Sequence, residues 1–430
     1  MKQFIFPAQY FSFGRALWPA LLCLVCCSAS AATLDVRLPD GNEIPVRIHP
    51  ARGPLRVLWL PSGFNSGAAE APVAAALAAL GVEVWQADVL EGRLLPPLES
   101  SLDQIPVNDI VTLIARAHTD GRRVLIVAAG RAGVLALRGM EQWRAAHPRA
   151  TETLAGALLL HPNLYLGPPE PGREAEYHPV VARTRDPVFI LQPELSPWRW
   201  RLAATRAELE KGGAPVYTWV LKDVRDRFYF RPDATGNEAG VAQRLAAMLR
   251  DATQLLAGTH AATAPVMRPA PEAVAPKPAS VRGLQPFRGS PQPPPLSLSD
   301  LNGAARTLND YRRRVVLINF WASWCPPCVH EMPSMQRLRE RFAGRPFEVV
   351  AVNMAETDAE VRTFLRDKVK VSFPVLMDRD GVALRDWKVF VFPTSFVLDT
   401  EGQIRLGVFG EIDWEAPEVV RAIEALLPVR

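Results

Sequence analysis

The sequence predicts two α/β units joined by a proline-rich linker, and three observations carry that prediction. Apolar runs of strand length alternate with helical patterns through the first half of the chain. Residues 264–295 then hold ten prolines, several alanines and a single aromatic, Phe287. A second strand–helix alternation follows, with two cysteines three positions apart near its start. At ordinary domain sizes, 430 residues leave room for two or three such units. A hydrophobic content of 48% suffices for real cores, and a formal charge of +4 makes no case for nucleic acid as a partner.

The N-terminus, over 1–32, reads as an export signal. Lys2 and Arg15 supply positive charge, Leu17 to Cys27 is apolar, and Ala29-Ser30-Ala31 gives the small-residue pattern of a cleavage site. The apolar run is shorter than the roughly 20 residues a membrane span needs. A cleaved, periplasmic protein is therefore expected, with membrane anchoring through an uncleaved segment as the alternative. Val25 before Cys26 disfavours a lipoprotein. No later stretch is long and apolar enough to span a bilayer.

Over 33–256, candidate strands are Leu55–Pro61, Val82–Val89, Arg123–Ala129, Gly156–His161, Val188–Gln192 and Val216–Leu221. Candidate helices between them are Ala69–Leu80, Ser101–His118, Ala132–His147, Ser196–Lys211 and Glu238–Leu256. Strands apolar throughout, separated by helices, predict a doubly wound parallel sheet covered on both faces. Within the linker expected over 257–295, the stretch 264–295 cannot bury enough apolar surface to fold alone. It reads as a semi-rigid linker spanning up to about 100 Å in polyproline geometry.

Over 296–430, Leu296 to Gly303 predicts a short strand pair or turn. Strands follow at Val315–Phe320, Phe347–Asn353, Phe373–Met377, Thr394–Asp399 and Gln403–Phe409. Helices are expected from Cys325 to Phe342, over Asp358–Lys368 and over Ala416–Leu427.

Cysteine usage points to redox chemistry. Cys23, Cys26 and Cys27 lie in the signal, so its removal leaves only Cys325 and Cys328. An exported chain with one close pair and no structural disulfides uses that pair for chemistry. At i, i+3 on a first helical turn the sulfurs share a face, and the helix N-terminus stabilises a thiolate on the first. Pro326 and Pro327 suit that turn, which needs no backbone donors. Trp321 and Trp324 shield one side. A zinc site would need further ligands, and His330 is the only histidine in this part of the chain. No metal or cofactor is called for.

Phe320-Trp-Ala-Ser-Trp-Cys-Pro-Pro-Cys-Val-His-Glu-Met-Pro333 resembles the TlpA/ResA-like branch of the thioredoxin superfamily. So do Val315–Phe320, Val350–Asn353, Phe373–Asp378 and Val391-Phe-Pro-Thr394. The resemblance covers about 135 residues and implies a thioredoxin fold. It implies an exported dithiol protein that reduces disulfides of other exported proteins, as in cytochrome c maturation or metal-centre assembly, fed by a membrane electron donor. It makes Cys325 the attacking and Cys328 the resolving cysteine of a redox-active disulfide. Pro393 becomes a cis-proline facing the site, and Trp324, Phe392 and Thr394 become substrate contacts. Asn319 stands where thioredoxin has a buried aspartate, so Glu331 is the candidate to exchange the Cys328 proton if burial raises its pKa. His330 is expected on the exposed helix surface.

The first unit resembles the α/β-hydrolase fold. Leu58-Trp-Leu-Pro-Ser-Gly-Phe64 looks like the strand-to-loop segment that helps build an oxyanion hole. Val127-Ala-Ala-Gly-Arg-Ala-Gly133 lies where the nucleophile elbow would fall. Arg131 occupies the nucleophile position and cannot attack a carbonyl. Asp226 stands where the histidine is expected, a place from which it could pair with Arg131. The unit is therefore expected to be catalytically silent. Ser62, His161 and His178 are expected in structural roles. Three alternatives to a reductase remain open: a net disulfide oxidant, a copper-binding protein using the two thiolates, and an esterase acting through Ser62.

Overall fold

In the computed structural model, the described residues are 32–63, 66–150, 152–167, 174–232, 234–261, 283–354 and 356–428. The expected signal, apart from Ala32, and positions 262–282 of the expected linker lie outside them. Ala31–Arg430 forms one compact unit built on two eight-stranded sheets.

The first sheet comprises β1 (Ala32–Arg37), β2 (Glu43–His49), β3 (Leu55–Trp59), β4 (Glu83–Ala87), β5 (Arg123–Ala129), β6 (Leu154–Leu160), β7 (Val188–Leu195) and β8 (Val216–Arg225). Their spatial order is β1-β2-β4-β3-β5-β6-β7-β8. From β4 to β8 every neighbouring pair is parallel. Its helices are α1 (Ser66–Ala79), α2 (Val107–Ala117), α3 (Ala132–Ala146), α4 (Leu202–Glu210) and α5 (Gly236–Ala257). Strand β5 explains why both faces are covered. Val124, Ile126 and Ala128 enter one apolar cluster, while Leu125, Val127 and Ala129 enter the other. With a period of two, a continuous apolar run must bury both sides.

The structure corrects the sequence reading of this sheet in several places. It is mixed rather than all parallel, because β1 and β2 form an antiparallel hairpin that joins β4 antiparallel. The helix expected over Ser101–His118 starts only at Val107; a 3-10 turn over Glu99–Gln104 precedes it, and Pro106 breaks the two apart. Ser196–Lys211 likewise divides into a 3-10 turn over Pro197–Arg201, capped by Ser196, and α4. Strand β8 runs four residues past Leu221, to Arg225.

The second sheet comprises β9 (Gln285–Pro286), β10 (Ser297–Asp300), β11 (Ala305–Thr307), β12 (Val315–Trp321), β13 (Phe347–Met354), β14 (Val375–Asp378), β15 (Thr394–Leu398) and β16 (Ile404–Phe409). Its order is β11-β10-β14-β13-β12-β15-β16-β9. Helices α6 (Pro326–Arg341), α7 (Asp358–Asp367), α8 (Val382–Asp386) and α9 (Pro417–Glu424) flank it. The short α8 has no counterpart in the sequence reading. The end of the expected linker is not free: Gln285–Pro286 pairs with β16, Phe287 packs on Phe396, and the Pro291 carbonyl accepts from Ile404 N–H. Central β12 alternates as β5 does. Val316, Ile318 and Phe320 face one cluster, and Val315, Leu317 and Trp321 face the other, with α6. That register sends Asn319 toward α6 as well.

Candidate active site

Helix α6 begins where β12 ends. Cys325 is its N-cap, and its Sγ accepts from the Cys328 N–H at 3.3 Å. Pro326 and Pro327 fill the first turn, where no backbone donor is missed. Cys325 and Cys328 form a disulfide, with Cα atoms 5.3 Å apart. Cys328 is fully buried, whereas Cys325 retains 6% exposure beside two exposed prolines. The two sulfurs are thus inequivalent, and the outer one is Cys325.

Glu331 lies one turn after Cys328 on the buried face of α6, the spacing at which helix side chains are neighbours. It is 2% exposed. Its Oε1 accepts from Asn319 Nδ2 at 2.7 Å, and its Oε2 from Trp414 Nε1 at 3.2 Å and the Ile412 N–H at 3.3 Å. Burial outweighs these donors and pushes the carboxyl up to about 8. Asn319 therefore orients the carboxyl rather than acting as a base. It also donates to Ser395 Oγ at 2.9 Å.

The Phe392–Pro393 peptide is cis. The Phe392 ring meets Trp324 edge-on at 5.9 Å, so the proline loop and the residue before Cys325 are in contact. Trp324 and Phe392 are half-buried. Thr394, expected among the substrate contacts, is fully buried and donates from Oγ1 to the Val391 carbonyl at 2.7 Å. Its role is to hold the loop. His330 is on the surface, paired with Glu411, whose hydrogen bond raises its pKa.

Sequence reading missed Glu356. Its carboxyl accepts from Ser323 N–H at 2.7 Å, from Ser323 Oγ, and from Asn353 Nδ2 at 2.6 Å. It therefore ties the loop preceding Cys325 to the end of β13. Burial raises its pKa. No local pattern marks such a residue, because its partner Ser323 is 33 positions away.

In the first sheet, Arg131 follows Gly130, whose φ is +53°. The guanidinium bonds to Asp103 Oδ1 at 2.8 Å, to the Tyr165 carbonyl and to the Leu166 carbonyl at 2.6 Å. The expected pairing with Asp226 is not made. Asp226 accepts instead from Ser196 Oγ at 3.0 Å. Ser62 is buried, and His178 Nδ1 accepts from the Val180 N–H at 3.2 Å.

The two sheets meet beside the redox centre. Phe390, three residues before Pro393, is 1% exposed. Tyr165 lies edge-on to it at 5.8 Å, Trp198 lies at 6.5 Å, and the Arg201 guanidinium stacks 3.6 Å from its ring centre. Trp200 donates to Met354 Sδ at 3.3 Å and lies against Gly381.

Residues 291–406 match the AhpC/TSA family. Thioredoxin-like protein YneN of Bacillus subtilis is 39% identical over 117 residues, covering 26% of this chain and 67% of that protein. Thiol-disulfide oxidoreductase ResA of Geobacillus kaustophilus is 33% identical over 135 residues, 31% of this chain and 76% of that protein. Among solved structures, a thiol:disulfide interchange protein of the thioredoxin family from Chlorobium tepidum is 24% identical, with a TM-score of 0.29, over 32% of this chain and 96% of that one. Through its C-terminal region the chain belongs to the thioredoxin-like thiol–disulfide oxidoreductases of the ResA type.

Proposed function

We propose that the chain is an exported dithiol reductase that reduces disulfides of other exported proteins through Cys325 and Cys328, of the kind used in cytochrome c maturation or metal-centre assembly. The observation carrying this reading is an inequivalent cysteine pair at the start of α6, with Cys325 outermost and a buried carboxyl one turn beyond Cys328.

In the reduced protein, the Cys325 thiolate attacks one sulfur of a substrate disulfide. That S–S bond breaks, a mixed disulfide forms, and the first substrate sulfur leaves as a thiolate. The Cys328 thiol then gives its proton to Glu331, and its sulfur attacks Cys325. The second substrate thiolate departs, and both substrate sulfurs take up protons. Two electrons pass to the substrate, and the Cys325–Cys328 disulfide remains. A membrane donor returns the electrons. Positive potential at the helix N-terminus favours the Cys325 thiolate.

The first sheet is read as a catalytically silent α/β-hydrolase-like unit. Its strand order, with an antiparallel hairpin at one edge and a turn of positive φ after β5, supports that reading. So does the arginine at the turn, held by three partners. The N-terminal sequence pattern supports export; among the described residues no helix is long and apolar enough to cross a membrane.

Cys325→Ser should abolish reduction of a disulfide-bonded protein by the chemically reduced chain. Cys328→Ala should accumulate mixed disulfides, from which the physiological partners can be identified. Undiminished exchange by Cys325→Ser would end the proposal.

A further inference from the structure

Phe390 belongs to the second unit, but its core is supplied by the first. It is 1% exposed, and the apolar cluster that buries it holds Tyr165 and Ala175, with Tyr177 and Trp198 packed alongside. All four come from the first unit; Phe390 and its neighbour Val391 are the cluster's members from the second. Arg201, whose side chain is 11% exposed, stacks its guanidinium 3.6 Å from the Phe390 ring centre. Such a cation–ring contact strengthens as water is excluded from it. The same guanidinium donates from Nη1 to Glu174 at 2.7 Å.

Two segments of the first unit form this socket, and each is braced from behind. The 3-10 turn Pro197–Arg201 carries Trp198 and Arg201, and its Trp200 reaches Met354 of the second unit. Ser196 caps the turn: its Oγ accepts from the Trp198 N–H at 3.2 Å and donates to Asp226 Oδ2 at 3.0 Å. The segment bearing Tyr165 is held by Arg131, which donates to the Tyr165 and Leu166 carbonyls. Arg131 and Asp226 stand where the hydrolase-like pattern would place a nucleophile and a histidine. Here both serve the segments that grip Phe390.

Two residues separate Phe390 from Pro393. The far end of that loop is fixed as well, because the Gly410 N–H donates to the Pro393 carbonyl at 2.8 Å and Thr394 Oγ1 to the Val391 carbonyl at 2.7 Å. Val391 and Phe392 are therefore pinned from both sides, and Phe392 sits against Trp324, the residue before Cys325.

We propose that the first unit is a clamp on the Phe390–Pro393 loop, and that Arg201 is a positioning residue acting through Phe390 on the edge that receives a polypeptide disulfide at Cys325. The proposal rests on the reductase reading above. A fixed edge matters for a polypeptide, which must be held in one register, and not for a disulfide that meets Cys325 alone.

The test uses the full chain, chemically reduced, in single turnover with two disulfides: insulin, a polypeptide, and dithiodipyridine, which has no peptide backbone. Arg201→Gln should lower the rate constant at low insulin about tenfold, with a raised half-saturating concentration, and leave the dithiodipyridine rate within about twofold. Ser196→Ala, which uncaps the turn without touching the ring of Phe390, should show the same selective loss. Equal losses with both disulfides in both variants would mark a general structural defect and overturn the clamp, as would unchanged insulin kinetics in both. Either of those outcomes leaves the reductase reading standing. A wild-type chain that reduces neither disulfide, or a Cys325→Ser chain that reduces insulin as wild type does, ends that reading and the clamp with it.

Discussion

Replacing Glu331 with glutamine removes one ionisation from the core while nearly preserving shape, so its consequences can be worked from the structure. The carboxyl titrates at an ordinary 4.5 when unfolded and at about 8 when folded, because burial disfavours its charge. Between those values the unfolded chain has released a proton that the folded chain still holds. Stability must therefore fall as pH rises, by at most about 1.4 kcal/mol per pH unit. From pH 4.5 to pH 7 that amounts to about 3 kcal/mol, and the loss levels off above the folded pKa. Glu331→Gln has no such proton, so its stability minus that of wild type should climb across this window. The comparison is made by urea unfolding of the oxidised proteins, in which neither thiol titrates. Kinetics give a second readout. In the proposed mechanism Glu331 takes the Cys328 proton and must be ionised to do so, so resolution of the mixed disulfide should speed up with pH along a limb near 8. Loss of such a base costs about 10²–10⁴-fold. Single-turnover release of substrate thiol should show that limb in wild type and a slower, shifted profile in the variant. A stability difference flat from pH 4.5 to pH 8 would refute the desolvation argument. An unchanged kinetic limb in Glu331→Gln would refute the proton role.

Two further outcomes follow from the contacts. Glu356→Ala strands the Ser323 N–H and Asn353 Nδ2, and should lower stability by about 2 kcal/mol while increasing alkylation of reduced Cys325, read by melting and by mass spectrometry. Phe390→Ala empties a site lined by Tyr165, Trp198 and Arg201 and should cost about 3–5 kcal/mol, read as an earlier unfolding transition or as new protease sensitivity between the two sheets.

What sequence made legible, and what it hid, divides along physical lines. Strands β5 and β12 are read easily because each buries both faces, so apolar residues run unbroken. Strands β1 and β2 escaped because they form an edge hairpin in which Val36 is the one buried residue of β1, and Pro45 interrupts the second strand. The position of Cys325 was legible because the local motif specifies a strand, a turn and a helix start, whereas Pro393 and Glu331 were placed by the resemblance. Thr394 was misjudged because its motif gives a position but not whether the side chain faces a partner or its own loop.

The pairing of Arg131 went wrong for a related reason. Position in a fold pattern puts Asp226 within reach, yet a guanidinium takes whichever acceptors satisfy its fork best. Asp103 and two backbone carbonyls offered by the chain at 165–166 do so without further burying a carboxylate. Asp226 is then left with a single hydroxyl donor. Its other oxygen stays buried without a hydrogen-bond partner, and burial lifts the carboxyl to about 7.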